Sequence, residues 1–291
     1  MNTVMDDNKM LTLVSQERIP MTPEMRLVLE ISHLKNATPA TVSRGGVLYV
    51  NDTDIGWKPY YDSWLKKYKK SGDNFADLAF QLALTHYIND QFVYDNLRKS
   101  HITPVCEMSQ VQSLTCIIDK LYDRLYSSKQ SNDFMKRLKE DNNEEQIRQI
   151  YEAIFIFSAM WAYGASLDED KNSFSNTWKT ISRIKFPESG MCFDYFYEPL
   201  ESCWKHWDTV VAPFNKEYEG LYQNMVVPTA ETTRQKFLLD IHVSARKGVL
   251  YVGNAGTGKT TIIKDYFSTL DKELFINAAM NFNSYTDSKS L

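Results

Sequence analysis

Apolar residues along this chain change their spacing three times. At the start they come in short runs. Met10-Leu11-Thr12-Leu13-Val14 and Arg18-Ile19 flank the polar Ser15-Gln16-Glu17 and read as a small hairpin, while residues 26–31 and 47–50 read as buried strands. Between those two strands, Thr38 can cap a helix whose first position is Pro39, and Gly45-Gly46 can end it. A single helical turn then delivers Arg44 to the lip of a strand. From Trp57 the period becomes helical. Leu78, Leu82, Tyr87, Ile88 and Phe92 form one stripe over residues 75–97; Val111, Leu114, Ile118, Leu121, Tyr122 and Leu125 form a second, and Phe174, Trp178 and Ile181 a third. Residues 147–163 are apolar nearly all round, which predicts a central helix covered by its neighbours. The run Lys66-Lys67-Tyr68-Lys69-Lys70 reads as a solvated helix end, and the charged stretch 127–143 as a loop or a mobile helix. The aromatic rings fall on the helical stripes, so core packing accounts for them better than a cofactor box.

The helices stop at Pro187-Glu188-Ser189-Gly190. Two aromatic runs, 191–197 and 203–207, flank Glu198-Pro199-Leu200-Glu201-Ser202 and predict a hairpin. A helix with Phe237, Leu238 and Ile241 on one side follows and ends at Arg246-Lys247-Gly248 with a basic last turn. Gly248-Val249-Leu250-Tyr251-Val252 has the length and composition of a buried strand, and residues 261–270 read as a helix.

Between that strand and that helix stands Gly253-Asn254-Ala255-Gly256-Thr257-Gly258-Lys259-Thr260, which fits G-x-x-x-x-G-K-[ST] at every fixed position. Glycines let the backbone turn sharply and aim consecutive N–H groups at phosphate oxygens, and the helix that follows adds the positive end of its dipole. Lys259 is placed to reach the β- and γ-phosphates and Thr260 to offer its hydroxyl to Mg²⁺, with Thr261 next in the helix. The expected ligands are ATP or ADP with Mg²⁺. Hydrolysis also requires an acidic residue at the end of a second apolar strand. After the loop come only strand-like Leu274-Phe275-Ile276-Asn277 and a polar tail, so the chain is expected to stop inside a nucleotide-binding domain and not to hydrolyse ATP efficiently by itself. Residues 47–52 resemble an apolar strand ending in Asn-Asp, but they precede the loop and lie in the wrong chain order for that role.

Composition narrows the classes. With 33 basic and 37 acidic residues, net −4, no nucleic-acid surface is expected over the chain as a whole. Cys106, Cys116, Cys192 and Cys203 make no C-x-x-C pair, which argues against a zinc site or a disulfide framework and for a reducing compartment. The polar, acidic start is unlike a signal peptide, and residues 150–165 are too short and interrupted to span a bilayer, so no membrane partner is expected. His33, His86, His101, His206 and His242 lie too far apart in sequence to form a recognisable ligand or acid–base motif.

Several further motifs, in fixed order, resemble dynein heavy chains within their ring of AAA+ modules. Asn2-Thr3-Val4-Met5-Asp6-Asp7-Asn8-Lys9 through Leu13, then Ala37-Thr38-Pro39-Ala40-Thr41-Val42-Ser43-Arg44, resemble the later part of the second module. Residues 155–164, Phe193-Asp194-Tyr195, and Val227-Pro228-Thr229 with Thr233-Arg234 resemble its lid and the passage into the third module. The stretch 48–57 and the loop Gly-Asn-Ala-Gly-Thr-Gly-Lys are most similar to axonemal outer-arm chains. The resemblance implies an α/β fold: two P-loop AAA+ ATPase modules, both incomplete, joined by a mainly α-helical lid and a β-hairpin. The implied segments are 1–56 (end of the second large subdomain), 57–186 (lid), 187–215 (hairpin linker) and 216–291 (start of the third module with its P-loop). It also implies that Arg44 acts in trans as an arginine finger on the first module, and that Val227, Pro228 and Thr229 border the adenine of the third site. The implied function is a minus-end-directed microtubule motor of cilia, in cytoplasm, cytoskeleton and axoneme. Its partners would be the remaining modules, intermediate and light chains, and microtubules through domains not present. A truncated non-motor nucleotide-binding or interaction protein is the alternative. A free-standing P-loop kinase is weakened by the lack of room for a lid or acceptor site.

Overall fold

A computed structural model describes residues 2–5, 9–214, 225–283 and 285–288. Part of the motif at residues 2–9, the 215/216 boundary and the end of the polar tail lie outside the described residues. The chain divides into two units, 1–55 and 56–291.

The first unit is built from short pieces. Helix α1 (Asn2–Met5) precedes strands β1 (Met10–Thr12) and β2 (Arg18–Pro20), which pair antiparallel with Leu11 opposite Ile19, as the apolar-polar-apolar pattern predicts. Helix α2 (Pro39–Arg44) forms where its capping signals lie. The Thr38 hydroxyl accepts the N–H of Thr41 at 3.3 Å, Pro39 opens the first turn, and the Gly45 N–H closes on the Val42 carbonyl. A four-residue helix α3 (Asp52–Ile55) ends the unit. Residues 26–31 and 47–50, expected as buried strands, carry no strand pairing and leave Val28, Leu48 and Tyr49 largely exposed. The reason is energetic: an extended run becomes a strand only when a neighbour takes its backbone N–H and C=O groups. No described segment does so here.

The second unit is a helical bundle around one long helix. Helices α4 (Lys58–Ser71), α5 (Asn74–Tyr87), α6 (Asp90–Leu97), α7 (Glu107–Ser127), α8 (Lys129–Glu140), α9 (Glu144–Gly164) and α10 (Lys171–Ile181) follow one another. As its nearly all-round apolar stretch 147–163 requires, α9 is buried from Ile150 to Gly164 except at half-buried Ala162, and it packs on α7 and α5. The single stripe expected over 75–97 is two helices, because Ile88 turns extended and Asn89 caps a new start by accepting the Phe92 N–H at 2.7 Å. Of the two readings of 127–143, loop or helix, the structure holds the helix, α8. Its few apolar residues, Phe134, Met135 and Leu138, recur at helical spacing, and Met135 and Leu138 are buried.

Behind the bundle, β3 (Tyr195–Glu198) and β4 (Cys203–His206) pair antiparallel as the predicted hairpin, with Tyr195 opposite His206. Residues 192–194 and 207–210 are single turns of 3-10 helix and not part of the strands. Helix α11 (Ala230–Ser244) then packs against α7, and helix α12 (Lys259–Thr269) packs against α11. Residues 248–252 and 274–277, also expected as strands, are unpaired, for the same reason as in the first unit. No helix of the described residues is long and apolar enough to cross a membrane.

Candidate functional site

The glycine loop is shaped by two left-handed residues. Gly256 and Gly258 have φ of +80° and +82°, conformations that glycine reaches at little cost and other L-residues rarely adopt, and a Cβ at either position would meet no atom within 4 Å. Conformation, then, and not crowding, calls for glycine here. Gly258 stands at the N-cap of α12 without a side chain to offer. The first helical bond runs from the Ile262 N–H to the Gly258 carbonyl at 2.9 Å. The N–H groups of Lys259, Thr260 and Thr261 precede that bond and point out of the helix start, where its dipole is positive. The helix therefore begins two residues earlier than the apolar pattern suggested, on the loop's own lysine.

Lys259 folds back across the loop. Its Nζ donates to the Gly253 carbonyl at 2.8 Å, the Asn254 carbonyl at 2.5 Å and the Thr257 hydroxyl at 3.1 Å, while that hydroxyl donates to the Asn254 carbonyl at 3.0 Å. Ala255 and Thr260 are exposed. An ammonium held by two carbonyls and a hydroxyl, beside backbone N–H groups at a helix N-terminus, gives a donor set suited to an anionic polyphosphate. Bound phosphate oxygens compete for Lys259 better than neutral carbonyls do, because they carry a full negative charge opposite the ammonium. The residues present fit ATP or ADP.

The elements on either side of the loop are tied to their neighbours. Helix α11 starts at Thr229, whose hydroxyl accepts the Thr232 N–H at 3.2 Å while the Thr232 hydroxyl accepts the Thr229 N–H at 2.8 Å. Val227 and Pro228 precede that cap, with Val227 exposed. Toward the bundle, Arg234 donates to the Phe193 carbonyl at 3.1 Å and to Asp194 Oδ1 at 3.2 Å, pairs with Glu231, and lies over the Trp161 ring. Toward the loop, Tyr251 donates to the Gln235 carbonyl at 3.3 Å, Lys236 pairs with Asp265, and Tyr266 donates to Asp240 at 2.8 Å. A cavity of about 490 Å³ lies between α7, α9, α11 and residues 248–252, but none of the residues 253–260 lines it. The phosphate loop is a surface feature, outside that cavity.

Of the residues singled out in the sequence, the loop 253–260 and Thr261 are contiguous at the start of α12, and Val227, Pro228 and Thr229 lead into the helix that α12 packs on. Arg44 is the last residue of α2, in the other unit, and exposed. Among the described residues no group of three or more His, Cys, Asp or Glu converges as a metal site. Sequence reasoning missed Asp240 and Asp73. Nothing local marks Asp240. Asp73 did carry a signal: glycine followed by aspartate between two helical runs is a stop-and-cap pair.

Loop, helix and adjoining lid together define a P-loop protein of the AAA+ class. Comparison with known proteins narrows this: the profile of the dynein heavy chain AAA lid domain matches residues 80–209, and that of the P-loop containing dynein motor region matches 214–291. The whole chain aligns at 37% identity with a ciliary dynein beta chain of Tripneustes gratilla, at 36% with dynein axonemal heavy chain 11 of Sus scrofa, and at 32% with the flagellar outer arm dynein beta chain of Chlamydomonas reinhardtii. In each case it spans only 6% of the relative's length. The chain belongs to the dynein heavy chain family.

Proposed function

We propose that this chain is the stretch of an axonemal dynein heavy chain that joins the second AAA+ module to the third and carries the third module's nucleotide site. The observation that carries the reading is the loop 253–260, which opens α12 through two left-handed glycines within the dynein motor-region match that follows the lid match. In this reading residues 1–56 end the second large subdomain, 57–186 are its lid, 187–215 the hairpin linker, and 216–291 the start of the third module. ATP or ADP binds with its phosphates on the N–H groups of 258–261 and on Lys259. Mg²⁺ takes the Thr260 hydroxyl together with phosphate oxygens and water, the ligand set that magnesium favours in such sites. Val227, Pro228 and Thr229 border the adenine. Arg44 acts in trans on nucleotide held by the preceding module, where an arginine finger stabilises charge on the transferred phosphate.

The whole assembly is an ATP-driven, minus-end-directed microtubule motor of cilia, working with intermediate and light chains, and the third site regulates its cycle. Titration of the purified chain with a fluorescent ATP analogue in Mg²⁺ tests the site. Saturable binding that Lys259→Ala weakens at least tenfold is expected. Binding that Lys259→Ala leaves unchanged would refute the site as described.

A further inference from the structure

We infer that Asp240 is a positioning residue that links the phosphate-loop helix to the lid, so that nucleotide at the loop and the conformation of α7 influence each other. The inference rests on the nucleotide-binding reading of the loop. The carboxylate of Asp240, on α11, faces two other helices at once. Its Oδ1 accepts the hydroxyl of Tyr266 at 2.8 Å, from α12, and its Oδ2 accepts Nη2 of Arg124 at 2.6 Å, from α7. One planar group with two oxygens thereby fixes two neighbours at a set separation.

Both partners are themselves held. Tyr266 is buried, with its hydroxyl the only polar atom of a ring whose place is set by packing. Arg124 lies over the ring of Phe237 at 4.3 Å, and Phe237 meets the rings of Phe157 and Trp207 edge-on. The Lys236–Asp265 pair ties α11 to α12 a second time, so the two move together. Alongside Arg234, which joins α11 to Phe193 and Asp194, the Arg124–Asp240 pair is the polar tie from α11 to α7.

The consequence concerns the loop. Lys259 and Tyr266 belong to the same eleven-residue helix, with about 10 Å of helix axis between them at 1.5 Å per residue. Seating phosphates at the N-terminus of α12 fixes the position of that helix. A fixed α12 fixes Tyr266 and Asp240, and with them Arg124 on α7. Because coupling free energy is reciprocal, a lid that holds Arg124 in place favours nucleotide at the loop by the same factor. With Arg124 and Asp240 both partly exposed, the low end of common couplings applies, roughly fivefold.

The test is a double-mutant cycle on the full chain, with a fluorescent ATP analogue and Mg²⁺ as the probe. Tyr266→Phe removes one hydroxyl and keeps the ring; Arg124→Gln removes the charge and keeps most of the stem. Each is expected to weaken binding roughly fivefold, and the double variant no more than either single one, because both act through one carboxylate. Hydrogen exchange supplies the readout that a merely structural role would not move. In the wild type, nucleotide raises protection in both α12 and α7; in Tyr266→Phe it raises protection in α12 alone. Unchanged affinity in both variants, with Lys259→Ala still weakening binding at least tenfold, would overturn the link and leave the nucleotide site standing. Effects that add fully in the double variant would overturn it too. No binding by the wild type would overturn the site and the link together.

Discussion

Replacing Asp73 tests the account of the helical bundle most directly. Its carboxylate is buried where α4 gives way to α5: Gly72, at φ +83°, ends one helix, and Asp73 Oδ1 caps the next by accepting the Ala76 N–H at 3.1 Å. Oδ2 accepts Tyr122 at 2.9 Å, Tyr151 at 3.0 Å and Lys139 at 3.0 Å, so one side chain joins α5, α7, α8 and α9. Burial pushes the phenols of Tyr122 and Tyr151 up, keeping them protonated donors. Burial also pushes the Asp73 carboxyl up, but hydrogen bonds from Ala76, Lys139 and Tyr122 together outweigh it and leave it below its ordinary value. Asp73→Ala removes the cap, about 1 kcal/mol, and strands Lys139 beside unpaired phenols, a loss of the kind that costs about 3 kcal/mol at the low end for one partner of a buried pair. Lys139 is about one-third exposed, which supports the low end. The expected loss is about 4 kcal/mol. Asp73→Asn keeps the capping oxygen and loses the charge, for about 1 to 2 kcal/mol. Urea denaturation at pH 7, followed by circular dichroism at the helical band, measures both. Since the folded carboxyl titrates below its unfolded value, the wild type's advantage over Asp73→Asn is complete above about pH 4 and shrinks as pH falls through the folded value. If Ala and Asn cost the same, or neither costs more than about 0.5 kcal/mol, a level typical of unremarkable surface sites, the network does not hold the bundle as argued.

Other substitutions probe packing and the site. Gly164→Ala should destabilise by about 1 to 3 kcal/mol in the same assay, because a Cβ there would lie 2.5 Å from Phe174 and 2.6 Å from Phe193, both buried rings, and overpacking of that size exceeds the helix propensity gained. Gly258→Ala, at φ +82°, should weaken ATP binding at least tenfold in the fluorescence titration while leaving the helical denaturation midpoint unchanged, since the loop is peripheral to the bundle. Arg44→Ala, in a full-length motor carrying this chain, should lower steady-state ATPase by roughly 10³-fold or more if it serves as the finger, and leave binding at the Lys259 loop intact.

The chain's own letters determined whatever depends on near neighbours. The cap at Thr38, the buried length of α9, the hairpin around residues 198–203 and the glycine loop were all legible, because each is closed by contacts within a few residues or by a nearly all-round apolar pattern. The motif order also carried the family. Tertiary structure decided the rest. Residues 26–31, 47–50, 248–252 and 274–277 have strand composition, yet an isolated extended run has nowhere to place its backbone hydrogen bonds, and no described partner supplies one. The stretch 127–143 looked polar because only three apolar residues carry its buried face, and their value depends on the groove that receives them. Asp73 and Asp240 gather partners up to 78 and 116 residues away in the chain, so their roles exist only after the helices have packed. Local sequence sets propensity and caps; a carboxylate shared by three or four helices is defined by the distances between them, which the packed core alone sets.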